Sequence, residues 1–218
     1  MSFIVAIDGP AGTGKGTITK LISKELGLVN IDTGAMYRSI GLYMLKNGID
    51  INDKDAVEKA SEKADVRLSY IDGTQHVLLN GEDVSTQIRE EEVGKAASVV
   101  SAYPQVRKNL TALQKKLAET ENVVMDGRDI GTCVLPDAFL KIYLTASPEV
   151  RGNRRYLELV EKGENPDLNE IIEDIRKRDQ ADMTREISPL KKADDAVEID
   201  SSEMTIDEVV KAIEDRIS

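Results

Sequence analysis

The sequence predicts an α/β fold: a five-stranded parallel sheet covered by helices on both faces, with a small β-meander insert and a helical lid. Three observations carry this. Short apolar runs at Phe3-Ile4-Val5-Ala6-Ile7, Leu28-Val29-Asn30-Ile31, Asn122-Val123-Val124-Met125, Leu140-Lys141-Ile142-Tyr143-Leu144 and Ala196-Val197-Glu198-Ile199 alternate with segments of helical spacing. That alternation implies right-handed β-α-β units. A glycine-rich loop joins the first run to the first helix, and Gly9, Asp32 and Asp126 all fall where strands end, the edge at which such sheets bind ligands.

The loop, Gly9-Pro10-Ala11-Gly12-Thr13-Gly14-Lys15-Gly16-Thr17, leads into Ile18-Thr19-Lys20-Leu21-Ile22. Strand, glycine loop, helix is the setting in which backbone N–H groups and a helix N-terminus cradle a polyphosphate, with no side chain in the way. Lys15 can then reach the outer phosphates. The residue after the lysine is Gly16, and the hydroxyl comes one step later at Thr17. A hydroxyl directly after the lysine normally ligates Mg²⁺. Here the metal is expected to be held through water or by other groups, with Thr17 on an inner phosphate and Asp8 a metal-shell candidate by position alone.

The alternation breaks between the second and third strands. Val66, Leu68 and Tyr70 alternate, Asp72-Gly73 reads as a turn, His76 to Leu79 is apolar, and Asn80-Gly81 turns again, which predicts a small β-meander at about 64–90. Later, Ser147-Pro148-Glu149 and Asp167-Leu168-Asn169-Glu170 carry helix-start signals, joined through Gly163-Glu164-Asn165-Pro166. They predict a helical hairpin at about 148–185, projecting over the site. Thr205-Ile206-Asp207-Glu208 is a capping-box pattern for a last helix that completes the core.

Composition narrows the function. At 218 residues and 40% hydrophobic, the chain suits one core, so 1–218 is read as a single domain. A formal charge of -11 and a pI near 4.8 argue against binding a nucleic-acid polymer. Anionic ligands must then be met by local arginines. The single cysteine, Cys133, rules out an intramolecular disulfide and reads as a small core residue in a reducing compartment. With no long apolar run and no leader pattern, a cytoplasmic monomer without membrane association is expected. The single histidine, His76, lies in the meander and reads as structural or solvent-tipped.

A second cluster, Asp32-Thr33-Gly34-Ala35-Met36-Tyr37-Arg38, follows a strand, as does Asp126-Gly127-Arg128-Asp129. With these, the chain closely resembles the bacterial cytidylate kinases, in the nucleoside monophosphate kinase group of the three-layer P-loop fold. The resemblance covers the loop, Asp32 to Arg38, the meander, Asp126 to Thr132 with Pro136-Asp137-Ala138, the arginine hairpin, and Arg178 to Arg185. It implies transfer of the γ-phosphoryl group of ATP, with Mg²⁺, to CMP or dCMP. Phosphoryl transfer is mainly positioning and charge neutralisation, and the second pKa of a phosphate monoester lies near 6, so no general base is needed.

The resemblance also implies roles. The loop, Gly9 through Thr17, would bind ATP. Asp129 would accept from the exocyclic amine of cytosine while Arg107 and Ser98 donate to the ring; alone, Arg107 reads as a surface charge on the helix after Pro104. Arg38 and Arg128 would hold the acceptor phosphate, Thr33 and Tyr37 shaping its pocket, because a guanidinium fork donates paired hydrogen bonds to phosphate. Arg154 and Arg155 match the lid arginines that close on ATP phosphates, whereas Arg151, on the same helix side, reads as part of a solvated face. Arg178 and Asp182 would approach the ribose and Arg185 the phosphates. Lys15, Arg128, Arg154, Arg155 and Arg185 thus form the expected catalytic set. A GTPase lacks support, there being no Asn-Lys-x-Asp motif. A nucleotide sensor would not need these arginines together, and adenylate kinase is the nearest alternative kinase.

Overall fold

The computed structural model describes residues 2–71 and 73–217, which form two compact units: Phe3–Leu28 with the chain from Val123 onward, and Val29–Asn122.

In the first unit, strands β1 (Ile4–Asp8), β6 (Val123–Gly127), β7 (Leu140–Thr145) and β8 (Val197–Asp200) run parallel in the order β6-β1-β7-β8. The parallel sheet of the fold has five strands, the fifth being β2 (Val29–Asp32). Its register sets Ile7 beside Asp126 and Asp8 beside Gly127 and Tyr143, so the polar strand ends line up. Every strand begins one residue later than its apolar run, or level with it, and extends one or two residues further. The ladder runs on into Asp8, Asp32, Asp126-Gly127, Thr145 and Asp200, polar residues that a hydrophobic pattern does not register. Val5, Ile7, Val124, Ile142 and Leu144 pack with Ile18 and Ile22 of α1 (Lys15–Leu26) and Val209 and Ile213 of α8 (Ile206–Glu214). Near-continuous apolar strands are what a parallel sheet covered on both faces requires.

The helical hairpin is α6 (Pro148–Glu161) and α7 (Leu168–Thr184). Ser147 caps α6 by accepting from the Val150 amide, and Asp167 caps α7 by accepting from those of Asn169 and Glu170. The two helices pack closely at Gly152, where a Cβ would lie 2.4 Å from Ile172 Cγ1. The expected capping box of α8 forms between Thr205 and Glu208. Cys133 is exposed, on a turn of π-helix at Ile130–Val134, which corrects its reading as a core residue. The π-turn re-aims the chain after β6, so the apolar sequence around Cys133 does not determine which way that side chain faces.

In the second unit, α2 (Thr33–Lys46), α3 (Lys54–Ser61), α4 (Glu91–Val100) and α5 (Pro104–Thr120) accompany an antiparallel meander of β3 (Val66–Ile71), β4 (Thr74–Leu79) and β5 (Glu82–Asp83). Asp72, expected in the first turn, lies outside the described residues; the second turn forms at Asn80 and Gly81, both at positive φ. Helices α2 and α4 approach backbone to backbone because Gly41 has no Cβ, one there lying 2.8 Å from the Ala97 amide nitrogen. His76 is partly exposed, its Nδ1 2.7 Å from Asp83 Oδ2, which fits the solvent-tipped reading.

Candidate active site

In the first unit, the glycine loop leaves β1 at Gly9 and enters α1 at Lys15, whose capping residue Gly14 supplies no side-chain acceptor to the first turn. The first amides of α1 are therefore left without a side-chain partner, the condition that an anion cradle requires. Thr13 Oγ1 donates to the Pro10 carbonyl at 3.2 Å and closes the loop. Lys15 is buried, and its Nζ donates to the carbonyls of Gly9 (2.8 Å) and Pro10 (2.7 Å) and to Thr13 Oγ1 (3.3 Å). Burial, followed by the nearby Arg128 guanidinium, pushes its pKa down to about 7, against the pull of Asp126, Asp8 and Asp182. Thr17 is exposed beside the loop.

Asp8 accepts from the amides of Ile130 (2.8 Å) and Gly131 (2.7 Å), one on each oxygen, which anchors the π-turn to the end of β1. Burial nevertheless lifts its pKa to about 6. Just beyond β6, Arg128 Nε donates to Asp182 Oδ2 at 2.9 Å, and Arg185 reaches Asp129 Oδ1 at 3.5 Å while its Nε donates to the Ser188 carbonyl. Burial opposes ionisation of Asp182, yet Arg128, Arg178 and Arg185 outweigh it and hold that carboxyl below the usual range. Arg128, Asp129, Asp182 and Arg185 thus form one network between the exit of β6 and the end of α7. Arg154 Nη2 donates to the Ser201 carbonyl at 2.7 Å, and Arg155 pairs with Glu158 at 3.0 Å.

Arg151 requires a correction. Expected on a solvated face, it is only 2% exposed and bonds to the carbonyls of Ala11 and Ala146 and to both oxygens of Asp179. The i, i+3, i+4 stripe with Arg154 and Arg155 is real, but α7 and the loop cover its first member.

In the second unit, Asp32 caps α2 by accepting from the Ala35 amide at 2.9 Å and pairs with Arg89 at 3.3 Å. Thr33 is buried at the start of that helix. Arg38 donates to the Ile88 carbonyl at 3.0 Å and lies against Gly94, where a Cβ would sit 3.0 Å from the guanidinium nitrogens. Arg107, far from being a surface charge, is 4% exposed, donates to the Ser101 carbonyl and lies 5.4 Å over the ring of Tyr37. Ser98 is half-buried on α4. This unit therefore groups Tyr37 with Arg107, while the first groups the loop, Lys15, Arg128, Asp129, Asp182 and Arg185.

The family profile of cytidylate kinase matches residues 5–218. The chain belongs to the cytidylate kinase family. The cytidylate kinase of Caldicellulosiruptor bescii is 50% identical over 96% of this chain and 92% of its own length. That of Shouchella clausii is 49% identical over 99% and 96%. Among solved structures, an uncharacterized protein from Eubacterium ventriosum ATCC 27560 (TM-score 0.52, 12% identity, covering 99% of this chain and 98% of its own) and a gluconokinase from Sinorhizobium meliloti 1021 (TM-score 0.50, 13% identity, covering 96% and 87%) share the fold. Among the described residues no helix is long and apolar enough to cross a membrane.

For a cytidylate kinase, the sequence leaves several partners of the buried charges unremarked. Asp179 and Ser101 sit next to recognisable positions, yet their partners, Arg151 and Arg107, come from distant segments. The tie of Asp8 to Ile130 and Gly131 spans strands that only the sheet order makes neighbours. No local pattern carries these pairs.

Proposed function

We propose that this chain transfers the γ-phosphoryl group of ATP to CMP or dCMP, forming ADP and CDP or dCDP, and that 1–218 acts as one kinase domain. The observation that carries the reading is the buried Lys15, held by the Gly9 and Pro10 carbonyls of its glycine loop, within a chain matched to the cytidylate kinases over residues 5–218.

The loop amides and Lys15 hold the β- and γ-phosphates of ATP. Lys15 exchanges its contacts to Gly9 and Pro10 for phosphate oxygens. Arg38 and Arg128 grip the acceptor phosphate through their guanidinium forks, with Thr33 and Tyr37 shaping its surroundings. Asp182 orients Arg128 by the 2.9 Å bond to Nε and Nη1 donates to the Gly127 carbonyl at 3.3 Å, which leaves Nη2 to reach the substrate. Asp129 accepts from the cytosine amine, Arg107 and Ser98 donate to the ring, and Arg178 with Asp182 approaches the ribose. Arg154, Arg155 and Arg185 neutralise charge on the migrating group. The acceptor phosphate is ionised at neutral pH, so the attack needs alignment and no base.

The donor set fits Mg²⁺. Among the described residues no group of three acidic, histidine or cysteine side chains gathers to cage a cation. Mg²⁺ binds through one or two carboxylates, phosphate oxygens and retained waters. Asp8 and Asp126, ending adjacent strands, would hold it, and it would neutralise charge on the ATP phosphates.

Incubating the protein with Mg-ATP and each of CMP, dCMP, UMP, AMP and GMP, then separating the diphosphates chromatographically, tests the reading. CMP and dCMP should be consumed fastest, each giving its diphosphate in step with ADP; faster consumption of AMP would sink the reading in favour of adenylate kinase. A second measurement isolates base reading. Asp129→Ala should reduce the ratio of kcat/KM for CMP over UMP by roughly tenfold to a hundredfold, the worth of one polar partner in a dry pocket. An unchanged ratio removes Asp129 from the base site.

A further inference from the structure

We infer that Arg151 is a positioning residue, locking the tip of the phosphate loop to α7 so that the loop and the arginine-bearing end of α7 hold one geometry. The inference rests on the reading of Gly9 to Thr17 as the ATP-phosphate loop.

All three guanidinium nitrogens donate. Nε donates to the Ala146 carbonyl just past β7 (2.9 Å), Nη1 to the Ala11 carbonyl at the loop tip (2.9 Å) and to Asp179 Oδ1 (3.1 Å), and Nη2 to Asp179 Oδ2 (2.5 Å). Strand end, loop and helix α7 therefore meet on one planar group. A lysine, with three donors radiating from a single point, cannot span all three. Packing is built around the same contact. A Cβ on Gly12 would lie 3.4 Å from Arg151 Cβ, and Gly152 lets α6 close onto Ile172 of α7. Along α7, Asp179 follows Arg178 directly and precedes Asp182, the partner of Arg128, by one helical turn.

Stability alone is a poor reason for such a pair. Burying two charges costs several kcal/mol each, and apolar residues of similar volume often serve as well or better. What apolar residues cannot do is hold the Ala11 carbonyl by a directed bond. With that carbonyl engaged by Arg151, the loop amides keep one orientation, and the register of α7 is fixed against them. A displacement of about 1 Å at such a site costs up to roughly a hundredfold in rate.

The test separates the positioning role from a merely structural one. Arg151→Met alone leaves Asp179 buried without its cation and should unfold at a lower temperature. The double variant Arg151→Met/Asp179→Leu should regain most of that loss, yet show a KM for ATP raised roughly tenfold or more while the KM for CMP moves much less. Arg151→Lys, which keeps a cation beside Asp179, provides the measurement if the double variant fails to fold, with the same split expected. A folded variant of either kind with wild-type KM for ATP and kcat overturns the inference. Lys15→Ala, measured in parallel, guards the premise. If it leaves ATP binding unaltered, the loop reading fails; if it weakens ATP binding and the Arg151 variants do not, the positioning role fails.

Discussion

Lys15→Ala should lower kcat/KM for ATP by roughly a hundredfold to a thousandfold, the usual cost of deleting one aligned donor at a site of developing charge, without lowering the unfolding temperature. The second half of that expectation comes from the folded structure. Lys15 is 5% exposed, and burial together with Arg128 pushes its pKa down to about 7, so the fold holds this cation at a cost. Removing it relieves that cost while taking donors from the Gly9 and Pro10 carbonyls, and the two effects oppose each other. The sign of the pH dependence follows. A lysine lowered to about 7 begins to lose its proton at neutrality in the free protein, and a bound polyphosphate favours the charged form. ATP binding therefore takes up a proton, and affinity should fall as pH rises above 7, by up to about tenfold per unit while the bound-state pKa exceeds the working pH. Calorimetric titrations in buffers of different ionisation enthalpy measure the uptake directly. It should vanish in Lys15→Ala, and an affinity flat from pH 7 to 9 in the wild type would refute the assignment. Acceptor ionisation, with a phosphate pKa near 6, acts in the opposite direction below neutrality, so kcat/KM for CMP should rise through that range.

The layers of the fold and most of the site's positions are written locally, and local signals are what a sequence transmits. The loop is legible because its glycines, strand and helix are contiguous, and the hairpin because Ser147 and Asp167 stand at the helix starts they cap. Arg154 and Arg151 show the limit. Both lie on one side of α6 by spacing, yet which arginine is covered depends on α7, and the sequence distance between Arg151 and Asp179 hides their pairing. Arg107 shows the same limit from the other direction: a charged residue after Pro104 reads as surface until Tyr37 and the Ser101 carbonyl are seen around it. Buried charges are the positions where composition misleads, since a partner elsewhere in the chain reverses the cost of burial. Cys133 fails for a different reason. Helical and strand periodicities assume regular backbone, and a π-turn has neither period.

The same loop contains a contrast that separates backbone necessity from mere glycine preference. Gly9→Ala should destabilise the protein by about 3 kcal/mol or more, the upper range for forced overpacking, and at this chain length that lowers the unfolding temperature by roughly 6–12 °C. Gly9 has φ +151°, and a Cβ there would lie 2.0 Å from the carbonyl oxygen of Leu144 and 3.0 Å from its carbonyl carbon. Both are backbone atoms of β7 inside the apolar core, so no rotamer change relieves the contact. Either β1 and β7 separate or the loop abandons its path, and in the second case ATP affinity goes with it. Gly16 is the control within the loop. A Cβ there meets nothing within 4 Å, and the residue lies in the first turn of α1. Gly16→Ala should leave the unfolding temperature unchanged or raise it, since alanine loses less backbone entropy in a helix than glycine, by roughly 1 kcal/mol. Thermal unfolding of the two variants, followed by circular dichroism, tests the argument in one experiment. Equal unfolding temperatures would mean that β7 does not press on the loop at Gly9, whereas a large fall confined to Gly9→Ala shows that the strand next door shapes the phosphate cradle.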